Sequence, residues 1–312
     1  MQKIQSTSSA RMIQATSKDN HSATWSDYKA LIKTGIINSN LLTTFAGFWL
    51  ALFYTGSTFM QYWDRFLLTM LGTTFVIAGG CILNNYYDRD IDPIMSRTRK
   101  RPTVTGSISL SHVLILGIVS TIIGVSLLLL TTIEAAVFGI IGWFSYVVLY
   151  TMWSKRRYTI NTAIGSLSGA VPPLIGWAAV SPMIHMEAII LFLIMFIWQT
   201  PHFLALAMKK SDEYKAAGIP MLPVVHGFSI TKRQIVIYVA CLLPLPFYLY
   251  SLGNIFLIIA SISTLGWLII GIRGFFVKND LKWAHHMFMY SLYYLMVIFV
   301  TMIIITIPPV IH

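Results

Sequence analysis

The amino-acid sequence predicts an all-α polytopic membrane protein, with nine transmembrane helices in two related helical halves around a central cavity open to the cytoplasmic face. Three observations lead to this prediction. Hydrophobic residues make up 56% of the 312 residues, charged residues make up 11%, and the mean hydropathy is +0.71. Such a composition lies far outside the range of soluble domains. Long apolar segments also recur along the chain, and its basic residues fall on one side of them.

Nine apolar segments are long enough to cross the hydrocarbon core, which takes about 20 helical residues. They cover residues 36–56, 66–83, 108–131, 133–152, 162–180, 186–208, 234–251, 254–272 and 287–308. The fifth is the least apolar, and its run Gly165-Ser166-Leu167-Ser168-Gly169 predicts a small-residue face for close helix packing. Residues 1–30 are predicted to be a mobile cytoplasmic tail, because this stretch begins with a long polar run without an apolar core. Residues 31–312 are predicted to form one intramembrane domain.

The basic residues predict the orientation of the chain. With a cytoplasmic N-terminus, 21 of the 22 Lys and Arg residues fall in cytoplasmic segments, and Arg65 lies outside. This bias predicts a multi-pass protein of the cell membrane whose C-terminus lies outside. The net charge of +11 then follows from the bias and from attraction to anionic membrane lipid, so no nucleic-acid partner is expected.

Polar residues concentrate in two predicted cytoplasmic loops, residues 84–107 and 209–233, which are four helices apart. This separation predicts two related halves that share a polar site at the cytoplasmic face. A transporter would need polar residues spread across the middle of the membrane. The crowding at one face therefore disfavours a transport function.

The first of these loops begins with an acidic cluster. Asn84, Asp88 and Asp92 follow each other at intervals of four residues, which places their side chains on nearly the same face of a helix. Ionisable groups are costly at a membrane boundary and tend to mark function there. Three oxygen donors predict a Mg²⁺ site whose shell a diphosphate substrate completes. The alternative is a solvated loop in which the acids balance nearby arginines. Asp90 lies off this face and is expected to stay solvated or to pair with a basic neighbour.

Basic residues follow the acidic cluster directly, at Arg97, Arg99, Lys100 and Arg101. Guanidinium groups grip phosphate oxygens at two points, so Arg97 and Arg101 are predicted to neutralise the diphosphate. Lys155 and the two arginines after it either share this role or anchor the fourth span, and the sequence leaves both interpretations open.

A third polar cluster lies inside the sixth apolar segment. Pro201 interrupts the backbone hydrogen bonds of a membrane helix, which is tolerated where the backbone lines a cavity. His202 beside it is therefore a candidate site residue, with a purely structural hydrogen bond as the alternative. Tyr87 and Trp198 are either walls of a hydrophobic ligand tunnel or aromatic residues of the membrane interface.

The pattern Asn84-Asn85-x-x-Asp88-x-x-x-Asp92 resembles the first acidic motif of the UbiA-type intramembrane prenyltransferases, NDxxDxxxD. Further motifs, spread with it over about residues 31–282, resemble the heme-farnesylating branch of that family. They are Tyr87-Asp88-Arg89-Asp90-Ile91-Asp92, Met95-Ser96-Arg97-Thr98 with Arg101-Pro102, Pro172-Pro173-Leu174-Ile175-Gly176-Trp177, Pro201-His202-Phe203 and Gly218-Ile219-Pro220-Met221-Leu222-Pro223. The family's second acidic motif is represented here by Asp212-Glu213 alone.

The resemblance implies an activity and its partners. Farnesyl diphosphate and heme B would enter from the membrane, and the farnesyl group would be joined to a heme vinyl group with addition of water. Mg²⁺ would be the cofactor, and the product would pass to a heme A synthase or a terminal oxidase. A prenyltransferase acting on an aromatic quinone precursor is the alternative.

The resemblance also assigns roles to residues. Catalysis would fall to Asp88, Asp92, Arg97 and Arg101. The metal ligands would be Asn84, Asp88, Asp92 and Asp212. The residues expected to bind the substrates are Asn84, Asn85, Tyr87, Lys155, Trp198, His202, Lys209 and Asp212.

Overall fold

A computed structural model describes residues 23–183 and 185–307. Within these residues every regular element is a helix, and nine helices are long and apolar enough to cross a membrane. The nine spans are Thr34–Thr55, Trp63–Asp90, Leu110–Leu129, Ile133–Ser154, Asn161–Val180, Met186–Lys209, Gly227–Leu252, Asn254–Arg273 and Asp280–Ile305. The predicted all-α fold and its number of spans are thereby confirmed.

The seventh and ninth spans begin earlier than the apolar segments indicated, at Gly227 and Asp280 rather than at residues 234 and 287. Their first turns carry polar residues, which lower the hydropathy although the helix continues. Lys232 in the seventh span donates hydrogen bonds to the Gly274 carbonyl at 2.8 Å and to Asp280 Oδ1. The polar ends of the two helices are therefore joined to each other beyond the apolar part of the bundle.

The fourth, fifth and sixth spans differ in how regular their helices are. The fourth runs as an α-helix over Ile133–Phe144 and as a π-helix over Ser145–Ser154. The fifth is divided at Val171, just before Pro172 and Pro173, which lack the N–H groups needed to continue the helical ladder. The sixth continues as one α-helix through Pro201.

Small residues allow the spans to approach closely. A Cβ at Gly47 of the first span would collide with the carbonyl of Pro173 in the fifth, and a Cβ at Gly176 would collide with the carbonyl of Thr44. Gly169 lies against the side chain of Gln199 in the sixth span. The predicted packing role of the small-residue run is therefore confirmed, as is typical of membrane helix interfaces.

A short helix, Trp25–Ile32, precedes the first span. Thr24 and Asp27 form a capping box at its start, and Leu31 is fully buried. Most of this helix lies in the segment predicted to be a tail, so ordered structure begins earlier than residue 31. Residues 1–22 of that segment lie outside the described residues.

Successive spans cross in opposite directions, so the segments after the second, fourth and sixth spans lie at one end of the bundle. Side-chain contacts join them there, since Lys155 contacts Asp88 and Ser96 Oγ donates to Glu213 Oε1 at 2.9 Å. The fold thus gathers at one end the polar segments that the sequence singled out. The relation between two helical halves stays a prediction.

Candidate active site

The α-helix of the second span ends partway through the acidic segment. The α-helical part of the second span ends at Tyr87, and 3₁₀ turns follow at Asp88–Asp90 and Asp92–Ile94. Pro93 accounts for the second of these turns, because it cannot donate a backbone hydrogen bond and disfavours α-helix at Asp92 before it. The single α-helical face predicted from the spacing is therefore not formed. Asn84, Asp88 and Asp92 are nevertheless all buried.

Asp88 is surrounded by cations and amide donors. Its Oδ2 contacts Lys155 Nζ and accepts a hydrogen bond from Asn84 Nδ2 at 2.9 Å. Arg156 Nη2 lies 3.6 Å from Oδ1, too far for a hydrogen bond. Fully buried carboxylates need such partners, because an isolated buried charge is strongly destabilising.

Asp92 is held in a similar way by the basic segment that follows it. Arg101 Nη1 donates to Asp92 Oδ2 at 2.6 Å, and Thr98 Oγ1 donates to the Asp92 backbone carbonyl at 2.9 Å. Burial raises the pKa of the Asp92 carboxyl, and Arg101 acts in the opposite direction. The segment from Asp92 to Arg101 therefore closes on itself around one buried ion pair.

Three buried oxygen atoms of this segment have no hydrogen-bond partner among the described residues. They are Asp88 Oδ1, Asp92 Oδ1 and Asn85 Oδ1. An unsatisfied buried carboxylate oxygen costs free energy, and a hard cation is the partner that its chemistry prefers. The two carboxylates therefore fit Mg²⁺, which commonly uses one or two carboxylates together with water and substrate phosphates. The described chain contains no cluster of three or more His, Cys, Asp or Glu residues that could hold a metal.

Next to this segment lies a cavity of about 390 Å³. Its charged lining, within the part of the chain that the structure describes, consists of Lys33, Arg97, Arg101 and Lys155. Its other walls are mainly apolar and aromatic, including Tyr146, Tyr150, Pro172, Met195, Trp198 and Leu295. A cationic region beside an apolar chamber suits an anionic headgroup joined to a hydrocarbon chain.

Lys33 is a site residue that sequence reasoning missed. Its Nζ donates to Asn84 Oδ1 at 2.5 Å and to Tyr146 Oη at 3.4 Å. Burial lowers the pKa of its ammonium group to about 7. The sequence offers one signal, a lysine directly before the first span on the same side as the acidic cluster, but the same position also suits a residue that only sets the topology.

Trp198 and His202 line the same cavity. Trp198 Nε1 donates to the Ser291 carbonyl at 2.8 Å, and His202 Nδ1 lies 2.7 Å from Ser291 Oγ. Their rings stack with centroids 5.0 Å apart. The ninth span thus holds both side chains at the cavity wall.

Asn85 and Tyr87 do not line the cavity. Asn85 is fully buried, and its Nδ2 donates to the Leu31 carbonyl at 2.9 Å, which ties the short N-terminal helix to the second span. Tyr87 Oη donates to the Met152 carbonyl at 3.3 Å, and the Arg156 guanidinium lies 4.9 Å from its ring centroid. Their roles in substrate binding stay predictions.

Lys209 and Asp212 also lie away from the cavity lining. Lys209 Nζ is 2.9 Å from His285 Nδ1, and Asp212 is exposed. Its neighbour Glu213 is the residue that meets the first acidic loop, through Ser96. The assignment of Asp212 to a metal and to substrate stays a prediction.

Asp90 points away from the cavity, as its position predicts. Both of its carboxylate oxygens accept hydrogen bonds of 2.7 Å from Arg156, and 60% of its side chain is exposed. The two basic residues after the fourth span therefore have different partners. Lys155 contacts buried Asp88, whereas Arg156 pairs mainly with Asp90.

Sequence comparisons place this arrangement among known proteins. The model of the UbiA prenyltransferase family matches residues 40–292. A protoheme IX farnesyltransferase from Oceanobacillus iheyensis is 63% identical over 284 residues, which is 91% of this chain and 90% of the relative. Protoheme IX farnesyltransferase 2 from Bacillus subtilis is 58% identical over 90% of this chain and 92% of its own length.

Solved structures share the fold at low identity. A UbiA homolog from Archaeoglobus fulgidus bound to GPP and Mg²⁺ has a TM-score of 0.64 and 14% identity, covering 88% of this chain and 99% of that one. A structure described in work on digeranylgeranylglyceryl phosphate synthase has a TM-score of 0.71 and 20% identity, covering 90% and 98%. At these identities the likeness concerns the fold alone.

Proposed function

The chain belongs to the UbiA prenyltransferase family, and on that premise we propose that it transfers the farnesyl group of farnesyl diphosphate to a vinyl group of heme B, with addition of water. The observation that carries this proposal is the joining of one cationic, carboxylate-flanked region to an apolar cavity. Relatives named protoheme IX farnesyltransferase, 58 to 63% identical over most of the chain, support heme as the acceptor. They do not favour a quinone precursor.

The cationic region is the proposed binding site of the diphosphate. Lys33, Arg97, Arg101 and Lys155 line it and would neutralise the charge that grows on the diphosphate as the allylic carbon–oxygen bond breaks. Electrostatic groups fixed in place before the reaction stabilise such charge most effectively in a water-poor site. Asn84 is hydrogen-bonded to both Lys33 and Asp88 and would fix the positions of these two side chains relative to each other.

Asp88 and Asp92 would hold magnesium through the oxygen atoms that lack hydrogen-bond partners. When bound, the ion supplies Lewis-acid stabilisation of the diphosphate leaving group. Lys155 pairs with Asp88 Oδ2 and Arg101 pairs with Asp92 Oδ2. The Oδ1 atom of each carboxylate would then stay available to the ion.

The apolar walls serve the second half of the reaction. The terminal vinyl carbon forms a bond to C1 of the farnesyl group while the diphosphate leaves with the electron pair of the broken bond. A water molecule then adds to the vinyl carbon next to the porphyrin, and one proton is released. Exclusion of bulk water until the carbon–carbon bond has formed prevents simple hydrolysis of the farnesyl group.

The membrane position of the site fits lipophilic substrates. The nine spans make the chain a multi-pass membrane protein, and we place it in the cell membrane with a cytoplasmic N-terminus and an external C-terminus. Farnesyl diphosphate and heme B would then enter from the membrane with the diphosphate at the cytoplasmic face, and the farnesylated heme would pass to a heme A synthase or a terminal oxidase.

A competition between acceptors tests the proposal. Purified protein in lipid nanodiscs is supplied with farnesyl diphosphate, Mg²⁺ and equal amounts of heme B and 4-hydroxybenzoate. We expect farnesyl transfer to heme B alone. Prenylated hydroxybenzoate without a farnesylated heme would overturn the assignment of the acceptor while leaving the family chemistry intact.

A further inference from the structure

One serine of the ninth span holds two residues of the cavity wall. Ser291 is fully buried, its carbonyl accepts from Trp198 Nε1, and its hydroxyl contacts His202 Nδ1 at 2.7 Å. The same Oγ lies 2.5 Å from the carbonyl of Phe288. The hydroxyl therefore stands between a carbonyl oxygen and an imidazole nitrogen.

The direction of these hydrogen bonds fixes the tautomer of His202. A carbonyl can only accept, so the single hydroxyl proton of Ser291 is donated to Phe288. Ser291 Oγ must then accept from His202, which places the ring proton on Nδ1. Nε2 is left with an unprotonated lone pair.

Nothing in the described part of the chain occupies that lone pair. Within the described residues the His202 ring makes the Nδ1 bond, stacks with Trp198 at 5.0 Å and Phe288 at 4.7 Å between centroids, and meets Phe203 edge-on at 5.2 Å. The Trp198 and Phe288 rings pack against the imidazole at interplanar angles of 22° and 28°. The His202 ring lines the cavity. An imidazole that donates a hydrogen bond through one nitrogen and keeps the other nitrogen free is the usual arrangement of a metal-binding histidine.

We propose that His202 Nε2 is an axial ligand of the iron in the heme substrate. The proposal rests on the proposed function, because it requires a heme acceptor. Neutral imidazole is a common axial ligand of heme iron. Ligation at the iron would hold the centre of the porphyrin while leaving its vinyl-bearing rim free to react. It also gives a basis for selectivity, since an aromatic acceptor without a metal gains nothing from the lone pair. Ser291 is then a positioning residue.

Binding of two porphyrins tests the iron contact directly. Affinities for heme B and for metal-free protoporphyrin IX are measured on the nanodisc-embedded protein, using wild type, His202→Ala and the matched control His226→Ala, which replaces an exposed histidine outside the cavity lining. We expect wild type and His226→Ala to prefer heme B. We expect His202→Ala to lose about tenfold or more in heme B affinity with little change for protoporphyrin, so that the preference disappears.

Resonance Raman spectra of the ferrous heme complex supply a second readout. Wild type should show an iron–imidazole stretching band, His202→Ala should lack it, and added imidazole should restore both the band and the binding. Ser291→Ala keeps the imidazole but removes the acceptor of its Nδ1 proton. That variant should keep the band at a shifted frequency and bind heme B about ten- to a hundredfold more weakly.

Failure of this inference can be told apart from failure of the proposed function. Equal preference for heme B over protoporphyrin in wild type and His202→Ala, or a wild-type spectrum without the band, would overturn iron ligation even if farnesylated heme is still formed. Absence of farnesylated heme from wild type would overturn the function while leaving the binding and Raman results to decide the ligation of iron.

Discussion

Each carboxylate of the site keeps one oxygen paired with a cation and leaves the other without a hydrogen-bond partner. Asp88 does so with Lys155, and Asp92 does so with Arg101. Both carboxylates are fully buried, so the unpartnered oxygens cost free energy in the form that the structure describes. The residues of the site are therefore set up to gain from a bound cation.

Asp92→Asn should lower turnover by about a hundredfold or more while the protein still inserts into the membrane. The change removes one anionic ligand of the proposed magnesium site, whose electrostatic contribution is on the order of 3 kcal/mol. Turnover with farnesyl diphosphate and heme B is compared with that of Asp90→Asn. Asp90 is exposed and its pair with Arg156 is worth at most about 1 kcal/mol. Near-normal turnover of Asp92→Asn would remove Asp92 from the metal site.

Arg101→Lys separates charge from geometry. Lysine keeps the positive charge and the topological signal but loses the two-pronged grip of the guanidinium. We expect the apparent Michaelis constant for farnesyl diphosphate to rise, or turnover to fall, by roughly ten- to a hundredfold, which corresponds to about 1.5 to 3 kcal/mol. Arg97→Lys should change in the same direction. Arg99→Lys, an exposed position outside the cavity lining, is the control. If Arg97→Lys and Arg101→Lys keep wild-type kinetics, as Arg99→Lys should, these arginines are only topological anchors.

The site residues that the sequence predicts are those whose polarity is unusual for their place in the chain. Asn84, Asp88 and Asp92 stand out because charge is rare at a membrane boundary, whatever the helix does next. Lys33 and Ser291 did not stand out, because their importance comes from contacts with distant spans. The position of Lys33 before the first span is a signal in the sequence, but its burial against Asn84 depends on the packing of two spans.

The short N-terminal helix is attached to the bundle through one buried amide. Asn85 Nδ2 donates to the Leu31 carbonyl, and Leu31 packs with Ile82 and Val113. An aspartate at position 85, which the NDxxDxxxD motif has, could not donate this bond. The amide therefore has a structural explanation that does not involve the metal.

Asn85→Asp should destabilise this attachment by about 1 to 3 kcal/mol, because it leaves the Leu31 carbonyl without its donor and buries a charge. Hydrogen exchange over Trp25–Ile32 and thermal unfolding would measure the loss, with the exposed Asn38→Asp as the matched control. A variant with unchanged stability but lost turnover would instead place Asn85 at the substrate, as the family motif implies.

The bounds predicted from hydropathy agree with the observed helix bounds to within two residues in the fourth, fifth and sixth spans. They depart from the observed bounds at Gly227 and Asp280, where polar turns continue the helices beyond the apolar segments. Hydropathy reports the solvent of a residue, whereas the backbone hydrogen bonds continue until a cap or a proline stops them. The 3₁₀ turns at Asp88 and Asp92 are a separate departure, because there the four-residue spacing predicts an α-helical face and Pro93 interrupts the helical hydrogen bonds.

The proposed orientation of the whole chain rests on its positive charges and can be measured directly. Alkaline phosphatase fused after the first, fifth or ninth span should be active, because the enzyme folds only outside the cytoplasm, and fusions after the second, fourth or sixth span should be inactive. The reverse pattern would place the polar site at the external face and contradict the proposed cytoplasmic position of the diphosphate site.

The central claim is that the chain joins a farnesyl group and the oxygen of one water molecule to heme B. The most direct measurement is mass spectrometry of the heme extracted after reaction with farnesyl diphosphate and Mg²⁺ in water enriched in oxygen-18. We predict a heme heavier by one farnesyl group and one labelled hydroxyl, formed by wild type and not by Asp92→Asn. A heme that is unchanged, or farnesylated without the labelled oxygen, would contradict the account.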